Sequence, residues 1–134
     1  MKSAEAIRNY DSVLSEKTQT ELRIKAYQNP HREVCGFITK SGIILDVENV
    51  ADNPKTEFFM SPNEQFNTMR MYNKNILGIW HTHPSGNPFP SESDRLGATF
   101  GLPMGSWYWI VTTEHVYQYI WSVTEINVRG VTAI

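Results

Sequence analysis

Apolar residues along this chain change their period several times, and each change marks an element. Thr18-Gln19-Thr20-Glu21 is a hydroxyl followed three residues on by an acid, the pattern of a helix N-terminal capping box. Leu22, Ile24, Ala26 and Tyr27 follow, and Asn29-Pro30 stops the pattern, so a helix is expected over about 18–28. Val34 to Thr39 is a short, nearly continuous apolar run. After the turn residues Lys40-Ser41-Gly42, the segment 43–48 alternates, with Ile43, Leu45 and Val47 on one face. The two runs predict an antiparallel hairpin. Asn49 to Pro54 is a loop, and Thr56 to Met60 is expected as a third short strand.

Ser61-Pro62-Asn63-Glu64 is a second helix start, with Ser61 as cap, Pro62 at the first helical position and Glu64 completing the box. Phe66, Met69 and Tyr72 then recur at helical spacing up to Asn75. Ile76 to Trp80 has few polar atoms and predicts a buried strand. Ser91 to Asp94 opens a third helix, with Leu96, Ala98 and Phe100 following and Gly101 and Pro103 ending it. The tail is rich in aromatic and β-branched residues and predicts strands over 107–112, 116–123 and, more weakly, 126–131. This is not the regular βαβ alternation of a doubly wound fold. The expected class is a mixed α/β domain of the α+β type: a largely antiparallel sheet with flanking helices.

Length and composition narrow the picture. A chain of 134 residues with 40% hydrophobic residues and four tryptophans can build one core. Residues 1–17 are mixed and polar, with Ala4, Ile7, Tyr10 and Leu14 loosely helix-spaced; a short helix and a mobile arm both remain open. They are read as an N-terminal extension, and 18–134 as the domain. A net charge of −2 gives no basic face for nucleic acid. No apolar run approaches the roughly 20 residues of a membrane span, and Met1 to Glu5 does not open a signal peptide. A single cysteine, Cys35, precludes an internal disulfide and fits a reducing compartment, so the cytoplasm is the expected location.

The chemistry concentrates after the buried strand. His81-Thr82-His83 places two imidazoles one residue apart, so in an extended segment both point the same way. A stiff run from Pro84 to Pro90 can return the next helix over that point, bringing Asp94 in its first turn to the same place. Three such ligands and an open fourth position are what a catalytic zinc site uses. Taken alone, a His-x-His pair is more often a pair of ordinary surface or core histidines. Ser91 has two readings: a helix cap, or a hydrogen-bond donor to a developing oxyanion. Glu33, taken alone, reads as an exposed acid at a strand edge.

Together these residues resemble the signature of the JAMM/MPN (JAB) metalloprotease family. Glu33 is followed after a long gap by His81-Thr82-His83-Pro84; seven residues lie between His83 and Ser91, and two between Ser91 and Asp94. The resemblance spans roughly residues 18–123. It implies a cytidine-deaminase-like fold and Zn²⁺ held by His81, His83 and Asp94. Glu33 would be the general base that moves a proton from water to the leaving amine, and Ser91 would stabilise the oxyanion. It implies an enzyme, a zinc metallopeptidase cleaving peptide or isopeptide bonds in a protein or peptide substrate. A true deaminase would need a Cys-x-x-Cys pair, which one cysteine cannot supply.

Glu33-Val34-Cys35-Gly36 is similar to the short prokaryotic and phage members, and His83-Pro84-Ser85-Gly86 to the RadC branch. The run Asn49 to Pro54 followed by Phe58, with Gly101-Leu102-Pro103 and Trp109-Ile110-Val111, resembles phage tail assembly proteins of the lambda K type. That branch implies tail proteins as partners, in the host cytoplasm. The cysteine peptidase domain that often follows in such proteins is not expected in these 134 residues. The alternatives are a stand-alone bacterial peptidase processing a ubiquitin-like sulfur-carrier protein, and a non-catalytic assembly scaffold with a structural metal site. Cys35 reads as a buried small hydrophobe, His31 and His115 as solvated, and Trp80, Trp107, Trp109 and Trp121 as core; Phe89 could be core or a substrate contact.

Overall fold

The computed structural model describes residues 13–97, 106–121 and 126–127. Helix α1 (Glu16–Gln28) starts two residues before the expected point, because Ser15 and not Thr18 caps it, accepting from the Thr18 amide at 3.2 Å. The Thr18 hydroxyl instead donates to the Gly42 carbonyl at 3.1 Å, tying the helix to the hairpin turn. The helix then carries on to Gln28, as Asn29-Pro30 requires.

The hairpin forms as the alternation predicts. Strand β1 (Cys35–Thr39) pairs antiparallel with β2 (Ile44–Val47), with Phe37 opposite Leu45. Gly36 is needed there by close approach: a Cβ on it would sit 1.8 Å from the Leu45 carbonyl oxygen.

Residues 56–60 do not form the expected strand, and Met60 makes only an isolated bridge with Asn49. The Asn49 side chain takes over the bonds a ladder would have made. Its Oδ1 accepts from the amides of Ala51 and Phe59, each at 3.0 Å, and its Nδ2 donates to the carbonyls of Glu33 at 2.8 Å and Glu57 at 3.0 Å. Backbone groups of a loop must be paired somewhere, and one amide side chain pairs four of them.

Helix α2 (Pro62–Tyr72) has no side-chain cap from Ser61, contrary to the capping-box expectation. Ser61 donates its amide to the Glu48 carbonyl at 2.9 Å, and Glu64 accepts from the Glu48 amide at 3.4 Å. The pair fastens the helix start to the end of β2. Asn73, at φ 43°, ends α2 in the left-handed region that asparagine tolerates, and a 3₁₀ turn (Asn73–Asn75) leads into β3 (Ile76–Thr82).

Strands β4 (Trp107–Val111), β5 (Val116–Trp121) and β6 (Ile126–Asn127) complete a sheet of order β2-β1-β3-β4-β5-β6. β3 and β4 run parallel, and the other neighbours are antiparallel. Between β3 and β4 lies α3 (Glu92–Gly97). The expected helix end at Gly101 and Pro103 and the strand residues 122–123 and 128–131 lie outside the described residues.

The two faces of the sheet carry separate cores. Leu14, Leu22 and Ala26 from α1 and its approach cover Ile38, Trp80, Trp109, Val111 and Val116 on one face. On the other, Phe37, Val47, Met60, Ile79, Tyr108, Ile110 and Tyr119 are packed with Met69 of α2. Trp80 and Trp109 are fully buried, as expected of core tryptophans. Period-2 alternation puts His81 on the same face as Ile79, opposite Trp80. The site therefore lies on the tyrosine-bearing face, at the end of β3.

Candidate metal centre

β3 delivers the histidines and β1 delivers the acid, because the two strands are antiparallel neighbours. Cys35 lies opposite His81, so the residues just before β1 meet those at the end of β3. Two bonds lock the junction: the Thr82 amide donates to the Val34 carbonyl and the Val34 amide to the Thr82 hydroxyl, both at 2.9 Å. The Glu33 backbone is held further by Pro54, whose carbonyl accepts from its amide at 2.6 Å, and by Asn49. Glu33 is thus turned inward and is 3% exposed, which overturns the exposed-acid reading of this residue taken alone.

The imidazole of His81 is fully buried, stacked on Phe58 with ring centroids 4.3 Å apart and edge-on to Tyr108 at 5.4 Å. Its Nε2 lies 2.9 Å from His83 Nε2 and 3.2 Å from Asp94 Oδ2. His83 Nε2 is 3.0 Å from the same oxygen. His83 Nδ1 donates to the Asn87 carbonyl at 2.7 Å. That bond fixes the tautomer and leaves the Nε2 lone pair turned toward His81 and Asp94.

Between the second histidine and the acid, the loop closes on itself. The Gly86 amide donates to the His83 carbonyl at 2.9 Å, with Gly86 at φ 82°, a left-handed position suited to glycine. Asn87 Oδ1 accepts from the Phe89 amide at 3.0 Å, and Phe89 is half-buried. The loop ends in a reciprocal cap: Ser91 Oγ accepts from the Asp94 amide at 3.1 Å, and Asp94 Oδ2 accepts from the Ser91 amide at 2.9 Å. The cap reading of Ser91 therefore holds, and its hydroxyl lies 3.1 Å from that of Ser93.

Glu33, His81, His83 and Asp94 are all buried, and one ligand atom from each falls within a cluster no wider than 4.8 Å. Two imidazole lone pairs and a carboxylate turned on one another repel unless a cation or a shared proton lies among them. Asp94 Oδ1, Glu33 Oε1 and His81 Nδ1 are buried without hydrogen-bond partners. Such atoms are costly, and a bound cation would compensate the two carboxylates. The donor set, imidazole nitrogen with carboxylate oxygen, fits zinc.

The electrostatics separate the two acids. Burial, reinforced by Asp94 and Glu57 and opposed by His83, raises the Glu33 pKa to about 8. Burial also acts to raise Asp94, but His81 and His83 outweigh it and hold this carboxyl well below the usual range. Burial pulls His81 down, toward the neutral form that can ligate. For His83 burial pulls the same way, but its bonds to Asp94 and Asn87 prevail and its pKa rises. One acid is kept ionised beside the histidines, and the other can hold or release a proton near neutral pH.

Cys35 is buried in the core, its thiol pushed up to about 12 by burial and by Glu33, and so inert. His31 is exposed, while His115 is half-buried with its ring edge-on to Tyr117 at 5.6 Å. Residue patterns assigned Asn49, Phe58 and Tyr108 no role at the centre, although the first two stand in the segment that resembles the lambda K type. Only Asn49, a turn former after a strand, carried a local signal.

The chain is similar to several known proteins. A desampylase of Pyrococcus furiosus is 29% identical over 112 residues, covering 78% of this chain and 76% of that protein. A desampylase of Haloferax volcanii is 28% identical over 99 residues, covering 67% and 68%. The solution structure of a Desulfitobacterium hafniense protein shares the fold, with a TM-score of 0.65 at 20% identity over 85% of this chain and 86% of that one. The family model for prokaryotic homologs of the JAB domain matches residues 15–124, and the chain belongs to that family.

Proposed function

We propose that the protein is a zinc-dependent isopeptidase or peptidase that hydrolyses an amide bond in a protein substrate. The observation that carries this is the buried convergence of Glu33, His81, His83 and Asp94. His81, His83 and Asp94 would hold the zinc ion. When bound, zinc polarises the attacked carbonyl and makes water a nucleophile near neutral pH.

The remaining work falls to the chain. Glu33 Oε1 is 3.9 Å from His81 Nε2, beside the ligand atoms but fixed by a different strand. It accepts the proton of the attacking water as the C–O bond forms. It then gives that proton to the amine nitrogen as the C–N bond breaks. In the metal-free protein burial raises its pKa to about 8, and a cation held beside it would draw that down toward the range in which it can accept and return a proton near neutral pH. The Ser91 oxygen accepts from the Asp94 amide and lies 3.1 Å from the Ser93 hydroxyl; with Ser93 donating in that contact, the Ser91 proton can be given to the oxygen of the attacked carbonyl.

The two desampylase relatives support a conjugate of a ubiquitin-like protein as the substrate, in preference to a role in phage tail assembly. Among the described residues no helix is long and apolar enough to cross a membrane. The test is zinc content together with cleavage of a ubiquitin-like protein fused through an isopeptide bond to a reporter peptide. Wild-type protein should bind about one zinc and cleave; Glu33→Gln should bind zinc and not cleave. Failure of purified protein to take up zinc near neutral pH would exclude the reading. Complementation of tail assembly by wild type, but not by Glu33→Gln or His81→Ala, would favour the phage role instead.

A further inference from the structure

Tyr108 and Tyr119 are cross-strand partners on β4 and β5, and both are fully buried on the face that carries the site. Tyr108 presents its ring to His81. Tyr119 does something different: its hydroxyl donates to the carbonyl of Pro88, in the middle of the loop that joins His83 to Asp94. The neighbouring carbonyl, that of Asn87, accepts the Nδ1 proton of His83. Two consecutive carbonyls of one loop are thus claimed, one by the sheet and one by a candidate ligand.

The loop has little else to hold it to the sheet. Among the described residues, beyond the His83 amide on the Val111 carbonyl at the loop's base, its other hydrogen bonds are local, from Gly86 to His83, Asn87 to Ser85 and Phe89 to Asn87. Pro84, Pro88 and Pro90 contribute no amide donors. A loop bonded only to itself can shift as a body, and the Asn87 carbonyl would then leave His83 Nδ1. Released from that acceptor, His83 can move its proton to Nε2 and lose the lone pair a metal requires.

We infer that Tyr119 is a positioning residue for the metal centre, its hydroxyl fixing the loop that sets the tautomer and direction of His83. The inference rests on the zinc site proposed above. It is independent of how substrate binds.

Tyr119→Phe keeps the buried ring and removes only the hydroxyl. Three measurements decide the matter: zinc affinity by competition with a chromophoric chelator, ring ¹⁵N shifts of His83 in the metal-free protein, and metal-free thermal unfolding. The expected result is a roughly tenfold loss of zinc affinity, as for outer partners of metal ligands. The His83 shifts, read at a pH high enough that the ring is neutral, should move from the Nδ1–H tautomer to a mixture, with unfolding still cooperative. Tyr117→Phe, which alters the half-buried tyrosine two residues earlier on β5, should leave both readouts unchanged. Replacing Tyr119 with p-aminophenylalanine, whose amino N–H also donates, should restore them. Unchanged zinc affinity and His83 shifts in Tyr119→Phe would overturn the inference. So would a Tyr119→Phe protein that is unfolded without zinc, since the hydroxyl would then be a requirement of the fold. If wild type itself binds no zinc, the proposed function fails first.

Discussion

Ser91 and Asp94 cap each other across the first turn of α3, with the Asp94 amide on Ser91 Oγ at 3.1 Å and the Ser91 amide on Asp94 Oδ2 at 2.9 Å. The same Oδ2 faces Nε2 of both histidines. A helix-start motif is thereby also the device that aims a carboxylate, and the acid cannot rotate without breaking the cap.

Removing the Ser91 hydroxyl should separate its two roles. As a cap alone, Ser91→Ala would cost about 1 kcal/mol of stability. As an oxyanion donor as well, it should lower kcat by about 100-fold or more with a much smaller change in KM. Steady-state kinetics beside urea unfolding distinguishes them. A kcat within a factor of a few of wild type would leave Ser91 as a cap only.

Glu33 should make the metal-free protein less stable as pH rises. Burial raises its folded pKa to about 8, above the ordinary carboxylate value, so the folded state binds the proton more tightly than the unfolded state. Its contribution is fully present below about pH 4.5 and is lost as pH rises through about 8. Glu33→Gln removes this dependence. The metal-free variant should match wild type near pH 4 and exceed it by a few kcal/mol near pH 9, at about 1.4 kcal/mol per pKa unit. Parallel stability curves for the two proteins across that range would contradict the assignment.

Gly36→Ala should damage the site from a distance. The new Cβ would fall 1.8 Å from the Leu45 carbonyl oxygen and 2.9 Å from Trp80 Nε1, so β1 and β2 must separate. A loss of about 3 kcal/mol or more is expected from such overpacking, together with loss of zinc affinity, since β1 positions Glu33 against His81. Urea denaturation and zinc titration read both; an unperturbed midpoint would show that the strands yield easily.

Deleting residues 1–17 should destabilise the domain. The deletion removes the Ser15 cap of α1 and Leu14, which is 6% exposed among Leu22, Ala26 and the sheet. About 1 kcal/mol for the cap and 2 kcal/mol or more for the leucine are expected. Deleting residues 1–12 leaves both of these contributions in place. Thermal unfolding of the two truncations tests where the domain starts.

Much of this protein is legible in local order. The hairpin over β1 and β2, the strand carrying His81 and the start of α3 follow from alternation and capping chemistry, which act between near neighbours. His81, His83, Ser91 and Asp94 stand within 14 residues of one another, so spacing alone can propose a shared centre. Local signals misled where tertiary partners outbid them. Thr18 and Ser61 each headed a capping pattern, but Gly42 and Glu48 engaged them. The segment 56–60 has strand composition, yet the side chain of Asn49 took its backbone bonds.

Glu33 marks the boundary between the two kinds of information. With 47 residues between it and His81, no local rule relates them, and the residue alone resembles a solvated acid. Antiparallel pairing of β1 with β3 brings the two together, and burial then sets the pKa of the acid. The supports behind the ligands, Phe58 on His81 and Tyr119 on the Pro88 carbonyl, belong wholly to the tertiary structure. Sequence determined which atoms could ligate; strand pairing and packing decided that they meet, because register and desolvation exist only once the sheet has formed.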